Sequence, residues 1–187
     1  MLKSFMLTAA TSALIASGAA ADYTLTFLHT NDIRSRVESI NKYGSTCNAD
    51  GEAEGKCFGG MARLKTIIDA QRAAMADQNV VVLDAGDPFQ GSLFYTTYKG
   101  AAEAEFMEAI GYDVMAVGNH EFDDGPKGLA DFVDAVSFPV VSGNLDLSAE
   151  ELLKDRVKDH VVLEIGGQKI GIVSALAVDT VDTSSPG

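Results

Sequence analysis

Basic residues are scarce in this sequence of 187 residues. It holds 14 Lys and Arg against 27 Asp and Glu, which gives a formal net charge of −13 at pH 7. A surplus of negative charge argues against nucleic-acid backbones and anionic membrane surfaces as partners. It is also unfavourable for a phosphate substrate, unless bound metal ions reverse the sign of the potential locally.

Long hydrophobic runs are missing beyond the N-terminus. Lys3 precedes an uncharged apolar run over residues 5–16, and small residues follow up to Ala21. This order is typical of a secretory signal cleaved after Ala21, and the alternative is a membrane anchor or a buried helix. We therefore predict a signal peptide over residues 1–21 and an exported protein, periplasmic or extracellular, that leaves the membrane after cleavage. Residues 22–187 suffice for one domain with a real core.

Cysteines are limited to Cys47 and Cys57, on either side of a polar, glycine-rich loop. Two thiolates are two ligands short of a structural zinc site. In an exported protein, two cysteines that close such a loop favour a disulfide, with free thiols as the alternative. The sequence therefore predicts a bond between Cys47 and Cys57.

Strand-like and helix-like patterns alternate along the rest of the chain. Predicted strands cover residues 23–28, 80–83, 114–117 and 139–141, and predicted helices cover residues 59–71, 100–110 and 129–136. The first strand is expected to be buried and the second to be covered on both faces. Residues 146–160 are predicted to be a partly helical surface stretch, and residues 161–173 to form a hairpin around two glycines. Alternation of this kind predicts a layered α/β fold, while residues 179–187 show no closing element.

Three of the apolar runs end in groups that bind metals. The clusters are His29-Thr30-Asn31-Asp32, Asp84-Ala85-Gly86-Asp87 and Gly118-Asn119-His120-Glu121-Phe122-Asp123. Strand ends of an α/β sheet gather along one edge, so these clusters are expected to meet. Oxygen and imidazole ligands without a thiolate suit Mn²⁺, Mg²⁺, Zn²⁺ or Fe. The sequence thus predicts hydrolysis assisted by two divalent metal ions.

Individual residues in these clusters suit separate tasks. The Asp87 carboxylate has two oxygens and can bridge two ions, and Asn119 offers a neutral oxygen ligand. His120 can act on a leaving group, and Asp123 can fix its tautomer if a turn begins at His120. The residues also have simpler explanations: Asp84 and Asp87 can cap a helix, the Asn-His pair can form a turn, and Asp123-Asp124-Gly125 is a turn signal. His29 is expected to be a structural hydrogen-bonding residue, and His160 is expected to be a surface residue without a special role.

The motifs HTND, LDAGDPFQGS and AVGNHEFDDG, with the cysteine loop STCNADGEAEGKCFGGMARL, resemble one known family. They are similar to the N-terminal calcineurin-like metallophosphoesterase domain of exported 5′-nucleotidases and UDP-sugar hydrolases. The resemblance implies a four-layer α/β/β/α sandwich, incomplete at the C-terminus, with a dinuclear centre. It implies that Asp32 and Asp87 bind one ion, that Asp87 and Asn119 bind the other, and that His120 and Asp123 form the catalytic pair.

The chain departs from the family pattern in two respects. Arg34 stands where the family has a histidine ligand, and a guanidinium cannot coordinate a metal. The family's downstream histidine ligands and nucleoside-binding domain lie beyond the matching segment. We therefore expect a 5′-nucleotidase-type phosphatase lineage acting on nucleotides or other phosphate esters, with weak metal binding and poor turnover in this chain. The alternatives are a degenerate, non-catalytic fragment or weak metal- or phosphate-binding module, and a cyclic-nucleotide phosphodiesterase or sulfur-ester hydrolase.

Overall fold

A four-stranded parallel sheet forms the centre of the protein. The computed structural model describes residues 22–187, so the predicted signal over residues 1–21 lies outside the described residues. The strands are β1 (Leu25–Thr30), β2 (Asn79–Asp84), β3 (Val114–Ala116) and β4 (Val140–Val141), and they lie side by side in this order. All neighbouring strands pair in parallel. Their carboxyl ends therefore meet along one edge, as the alternating pattern predicted.

Six α-helices connect and cover the strands within residues 22–187. They are α1 (Ala49–Ala53), α2 (Met61–Ala74), α3 (Leu93–Tyr98), α4 (Ala101–Ile110), α5 (Gly125–Ala135) and α6 (Thr180–Thr183). The three predicted helices correspond to α2, α4 and α5, whereas α1, α3 and α6 were not expected. Ser92 caps α3 by accepting from the Phe94 N–H, so the prediction that Asp84 or Asp87 caps the following helix is wrong.

The first strand is less buried than the sequence predicted. It begins two residues later than expected and is an edge of the described four-stranded sheet. Phe27 on this strand remains 51% exposed. The second strand follows the prediction, because Val81 and Val82 are each only 1% exposed. An apolar run therefore identified both strands correctly, but only the inner one has partners on each side.

A separate antiparallel hairpin forms a second sheet. Its strands are β5 (His160–Ile165) and β6 (Gln168–Val173), joined by Gly166 and Gly167. Both glycines have positive φ, at 55° and 76°, as a two-residue primed turn requires. The predicted hairpin is confirmed.

Two predictions for the C-terminal half need correction. Residues 146–159 contain turns, at 148–149 and 151–156, instead of a partial helix, and Leu153 within them is fully buried. The tail, expected to lack any closing element, contains α6, and its Thr183 carbonyl accepts a hydrogen bond from Asn119. Contacts with distant segments decide both cases, and local sequence patterns do not reveal such contacts.

The hydrophobic core lies between the parallel sheet and the helices. Its fully buried large side chains include Met61 from α2, Met107 from α4, Met115 from β3, and Phe132 from α5. The predicted disulfide between Cys47 and Cys57 is present, with the two Cα atoms 5.8 Å apart. None of the helices within residues 22–187 combines the length and apolar character that a membrane crossing requires.

Candidate active site

The three predicted ligand clusters meet at the carboxyl edge of the parallel sheet. Asp32 follows β1, Asp87 follows β2 and Asn119 follows β3. The loops are tied to one another through the backbone: the Asp32 N–H donates to the Gly86 carbonyl at 2.9 Å. Asp32 and Asp87 both have left-handed backbone conformations, with φ of 52° and 59°. This conformation is uncommon for residues other than glycine, and it turns the chain sharply at both positions.

The Asp87 carboxylate lies directly against the loop that follows β3. Its Oδ1 accepts the His120 N–H at 2.9 Å. A Cβ placed on Gly118 would lie 2.3 Å from this oxygen, and a Cβ on Gly86 would lie 2.6 Å from the Gly118 nitrogen. Both distances are below any tolerable contact, so glycine is required at both positions for the loops to approach so closely.

Glu121, which no sequence pattern marked as functional, holds these loops together from below the site. It is fully buried, and its Oε2 accepts the N–H groups of Asp87 at 2.9 Å and Gly118 at 2.7 Å. Its Oε1 accepts the Phe89 N–H at 3.3 Å. Burial raises the pKa of Glu121 to about 8, against the opposing effect of the hydrogen bonds. The only sequence signal for this positioning role is that Glu121 lies inside the motif over residues 118–123, which also contains predicted site residues.

Asp84 is a second buried carboxylate below the site. Its Oδ2 accepts the Thr30 hydroxyl at 2.5 Å, and its Oδ1 accepts the Gly86 N–H at 2.9 Å. Thr30 also shares a hydrogen bond with the Tyr112 hydroxyl at 2.7 Å. Burial raises the pKa of Asp84 to about 7. Asp84 therefore links β1 to the loop that carries Asp87, without facing the site itself.

His120 and Asp123 form the side-chain pair that the motif spacing predicted. A 3-10 turn over His120–Phe122 brings His120 Nδ1 to 2.8 Å from Asp123 Oδ2. Their side chains are only 20% and 16% exposed. Because a carboxylate only accepts hydrogen bonds, Nδ1 is the nitrogen that carries the proton, and Nε2 is left for other partners.

Arg34 contacts both carboxylates assigned to the first metal ion. Its Nη2 lies 2.6 Å from Asp32 Oδ1 and 2.8 Å from Asp87 Oδ2, and its Nε donates to Asp32 Oδ1 at 3.0 Å. Asn31 donates to the other oxygen of Asp32 at 2.6 Å. The hydrogen bonds from Asn31 and from Arg34 lower the pKa of Asp32.

Within residues 22–187, the side chains of the other two histidines make no hydrogen bond with the site residues. Both are exposed, His29 within β1 and His160 at the start of β5. Asn119 is partly exposed, and its Nδ2 donates to the Thr183 carbonyl at 3.2 Å. The structure therefore brings together Asp32, Asp87, Asn119, His120 and Asp123, with Arg34 at the position where a histidine was expected.

An open cleft of about 1110 Å³ borders His120 and Asp123. Phe94, Tyr95 and Lys99 line it. The Tyr95 hydroxyl donates to Asp124 at 2.7 Å, and Lys99 pairs with the same carboxylate at 3.1 Å. These hydrogen bonds, first that of Tyr95 and then that of Lys99, lower the pKa of Asp124. The cleft thus places an aromatic ring and the Lys99–Asp124 ion pair on the same lining as the imidazole.

Comparison with known proteins identifies the family. The calcineurin-like phosphoesterase family matches residues 25–184. The chain belongs to this family. A 5′-nucleotidase of Diplobatis ommata is 45% identical over 173 residues, which are 91% of this chain and 29% of that protein. This phosphoesterase chain thus spans about 29% of the length of the curated relatives it matches.

Solved structures agree with this assignment for the phosphoesterase chain. A 5′-nucleotidase precursor from Thermus thermophilus matches with a TM-score of 0.75 and 39% identity, over 87% of this chain and 30% of that one. The NAD nucleotidase of Haemophilus influenzae matches with a TM-score of 0.72 and 30% identity, over 87% of this chain and 28% of that one. The predicted α/β metallophosphoesterase-type fold is confirmed.

Calcineurin-like phosphoesterases use divalent metal ions, and the two predicted ion positions differ in how well they fit one. Asp87 and Asn119 supply a carboxylate and an amide oxygen, which suit a hard divalent cation. Asp32 and Asp87 at the other position are already bridged by the Arg34 guanidinium. The residues at the first position therefore do not fit an ion, whereas those at the second supply only the types of donor atom that an ion would need.

Proposed function

We propose that this chain is a phosphoric ester hydrolase of the 5′-nucleotidase type, which releases phosphate from nucleotides. The observation that carries the proposal is the His120–Asp123 pair, 2.8 Å apart, beside the loops that hold Asp87 and Asn119. The names of the relatives support a nucleotide as substrate. The N-terminal signal pattern supports export to the periplasm or the extracellular space.

A divalent ion held by Asp87 and Asn119 would polarise the phosphoryl group and lower the pKa of a nearby water. The chain's own residues supply the proton transfer. Asp123, bonded to Nδ1, stabilises the imidazolium form of His120, in which both ring nitrogens carry a proton, and Nε2 gives its proton to the leaving oxygen. As the water oxygen bonds to phosphorus and the ester bond breaks, this proton neutralises the departing alkoxide. His120 is left as neutral imidazole with Nδ1 still protonated, and Nε2 regains a proton from the attacking water.

The adjoining cleft supports a nucleotide-sized leaving group. Phe94, which is only partly buried, offers an aromatic ring of the kind on which a base stacks, and Lys99, paired with Asp124, lies in the same cleft as His120. Since the cleft borders the imidazole, an ester placed in it brings its leaving oxygen towards Nε2. Proximity of this kind is a major part of the rate that enzymes gain.

Turnover is expected to be slow in this chain. One of the two ion positions is occupied by a guanidinium, and the other has two recognisable protein ligands. We expect turnover below the range of about 1–10³ s⁻¹ that is common for enzymes. The rival proposal, a non-catalytic phosphate- or metal-binding fragment, is favoured by the same Arg34 contacts.

Phosphate release from AMP in the presence of Mn²⁺ separates these proposals. We expect slow release that His120→Gln abolishes, because glutamine cannot donate a proton as imidazolium does. His160→Gln is the matched control, since His160 is exposed on β5 and should retain the full rate. Circular dichroism of both variants tests that they fold alike. No release above the His120→Gln background would refute catalysis and leave the non-catalytic alternative.

Substrate class is tested with the same proteins. Cyclic AMP and a thiosulfate ester replace AMP at equal concentration, and the His120-dependent rate is compared. We expect the monoester to be preferred by at least tenfold. Faster cleavage of either alternative substrate would assign the chain to the phosphodiesterase or sulfur-ester branch instead.

A further inference from the structure

We propose that the Arg34 guanidinium takes the place of the first metal ion. In this chain the guanidinium acts as a built-in counter-ion that joins Asp32 to Asp87. As a consequence, the described residues offer at most one position for a divalent ion, at Asp87 and Asn119. The inference goes beyond the proposed function, because it concerns metal stoichiometry and stability without turnover.

The bridging geometry is the first support. A single nitrogen, Nη2 of Arg34, lies 2.6 Å from an oxygen of Asp32 and 2.8 Å from an oxygen of Asp87. A metal ion at this position would likewise have to contact one oxygen from each carboxylate. The guanidinium carries a permanent positive charge but has no lone pair, so it can replace the ion as a charge and cannot share its ligands with one.

The oxygens of both carboxylates are already engaged in hydrogen bonds. Asp32 Oδ1 accepts from Arg34, and Oδ2 accepts from Asn31 at 2.6 Å. Asp87 Oδ2 accepts from Arg34, and Oδ1 accepts the His120 N–H at 2.9 Å. An ion entering between Asp32 and Asp87 would have to displace the guanidinium and then remain beside its positive charge.

The backbone of the Arg34 loop holds this side chain in place. Arg34 N–H donates to the Asp87 carbonyl at 3.1 Å, and Ser35 N–H donates to the Pro88 carbonyl at 2.7 Å. A Cβ on Gly91 would lie 2.7 Å from the Arg34 carbonyl oxygen, so the two loops are in close contact. The direction in which Arg34 leaves the backbone is therefore fixed by the same loop that carries Asp87.

Ser35 anchors the loop from the other side. It is fully buried, and its hydroxyl donates to Glu103, approaches the Ser92 hydroxyl at 2.9 Å and accepts the Tyr95 N–H at 2.9 Å. Arg34 and Ser35 both have φ of 56°. An outward swing of the whole loop would break these buried hydrogen bonds, which are costly to leave unmade.

Arg34→His and Arg34→Gln test the proposal with the whole chain. Histidine is among the residues enriched at positive φ, so the first variant suits the backbone. Arg36→Gln is the matched control, because it also removes one positive charge and its guanidinium bonds only the Gly44 carbonyl among the described residues. Mn²⁺ binding is followed by electron spin resonance of the free ion, and thermal unfolding is measured in EDTA and in Mn²⁺.

We expect the unchanged chain and Arg36→Gln to bind at most one equivalent of Mn²⁺ and to have similar unfolding temperatures in EDTA. Arg34→His should bind one further equivalent, at least tenfold more tightly than the unchanged chain binds a second ion. Both Arg34 variants should unfold at lower temperature in EDTA and recover in Mn²⁺. Adding Asp32→Asn to Arg34→Gln should restore stability in EDTA, because it removes the unpaired carboxylate.

Two equivalents of Mn²⁺ bound with equal affinity by the unchanged chain and Arg34→His would overturn the proposal. So would an unfolding temperature in EDTA that Arg34→Gln leaves unchanged. Neither result depends on phosphate release. The proposed hydrolase function can therefore fail while this inference holds, and this inference can fail while the hydrolase function holds.

Discussion

Replacement of Asp84 by asparagine tests how the protein tolerates a buried carboxylate beneath its acidic site. Asp84 is 2% exposed and bonds neutral donors, the Thr30 hydroxyl and the Gly86 N–H. Burial raises its pKa to about 7, and the nearby charges of Asp32 and Asp87 act in the same direction. Asparagine matches its shape, with Oδ1 accepting from Gly86 and Nδ2 donating to the Thr30 oxygen.

The sign of the pH dependence follows from linkage. A carboxyl group whose pKa rises from about 3.9 in the unfolded chain to about 7 in the folded one binds its proton more tightly when folded. Its contribution to the free energy of unfolding is therefore fully present below pH ~4 and declines as the pH rises to 7. Each tenfold change in proton affinity is worth about 1.4 kcal/mol, so the decline from this group reaches at most about 4 kcal/mol.

Urea unfolding at pH 4.5 and pH 8 measures this effect. We expect Asp84→Asn to match the unchanged chain at pH 4.5 and to exceed its unfolding free energy by about 2–4 kcal/mol at pH 8. Asp77→Asn is the control, because Asp77 is exposed and should change neither value appreciably. An identical pH slope in Asp84→Asn and the unchanged chain would refute the reasoning.

Two further predictions concern the supports around the site. Glu121→Ala leaves three backbone N–H groups without their acceptor. Urea unfolding should show that this variant loses about 3 kcal/mol or more of its unfolding free energy, whereas Glu121→Gln should lose about 1 kcal/mol. Equal losses in the two variants would contradict the proposed acceptor role. The double variant Cys47→Ala/Cys57→Ala opens a loop with a sequence separation of 10 and should lose about 2–3 kcal/mol. A reductant should lower the stability of the unchanged chain and leave the double variant unaffected, and a drop in both would point to another cause.

The sequence predicted the parallel-strand scaffold and the meeting of its ligand clusters because both depend on local patterns. Continuous apolar runs mark β2 and β3, and polar clusters follow directly after them. The distance of three residues between His120 and Asp123 sufficed to predict their contact, since a single turn spans it. Local chemistry of this kind is readable without knowledge of the tertiary structure.

Other features depend on contacts that local patterns do not show. Phe27 is an aromatic residue in an apolar run, which favours a buried strand, yet it is half exposed because β1 is an edge of the described sheet. Glu121 lies in a motif from which His120 and Asp123 line the cleft, and only the folded chain shows that Glu121 points inward to three N–H groups. Short helices such as α6 have too few residues for a helical period to appear. In each case a tertiary neighbour, absent from the local sequence, decides the outcome.

Backbone strain in the described chain is concentrated in the two loops around Arg34 and Asp87. Of the six non-glycine residues with positive φ in residues 22–187, five lie there, and they are Asp32, Arg34, Ser35, Asp87 and Gln90. Such conformations persist only where surrounding contacts hold them. Here buried hydrogen bonds accepted by Ser35 and Glu121 supply that restraint. Since the scaffold itself fixes Asp32 and Asp87 close together, their mutual repulsion has to be offset by a resident cation. The Arg34 guanidinium meets this need, which explains how a residue unable to bind metal is accommodated at the centre of an acidic site.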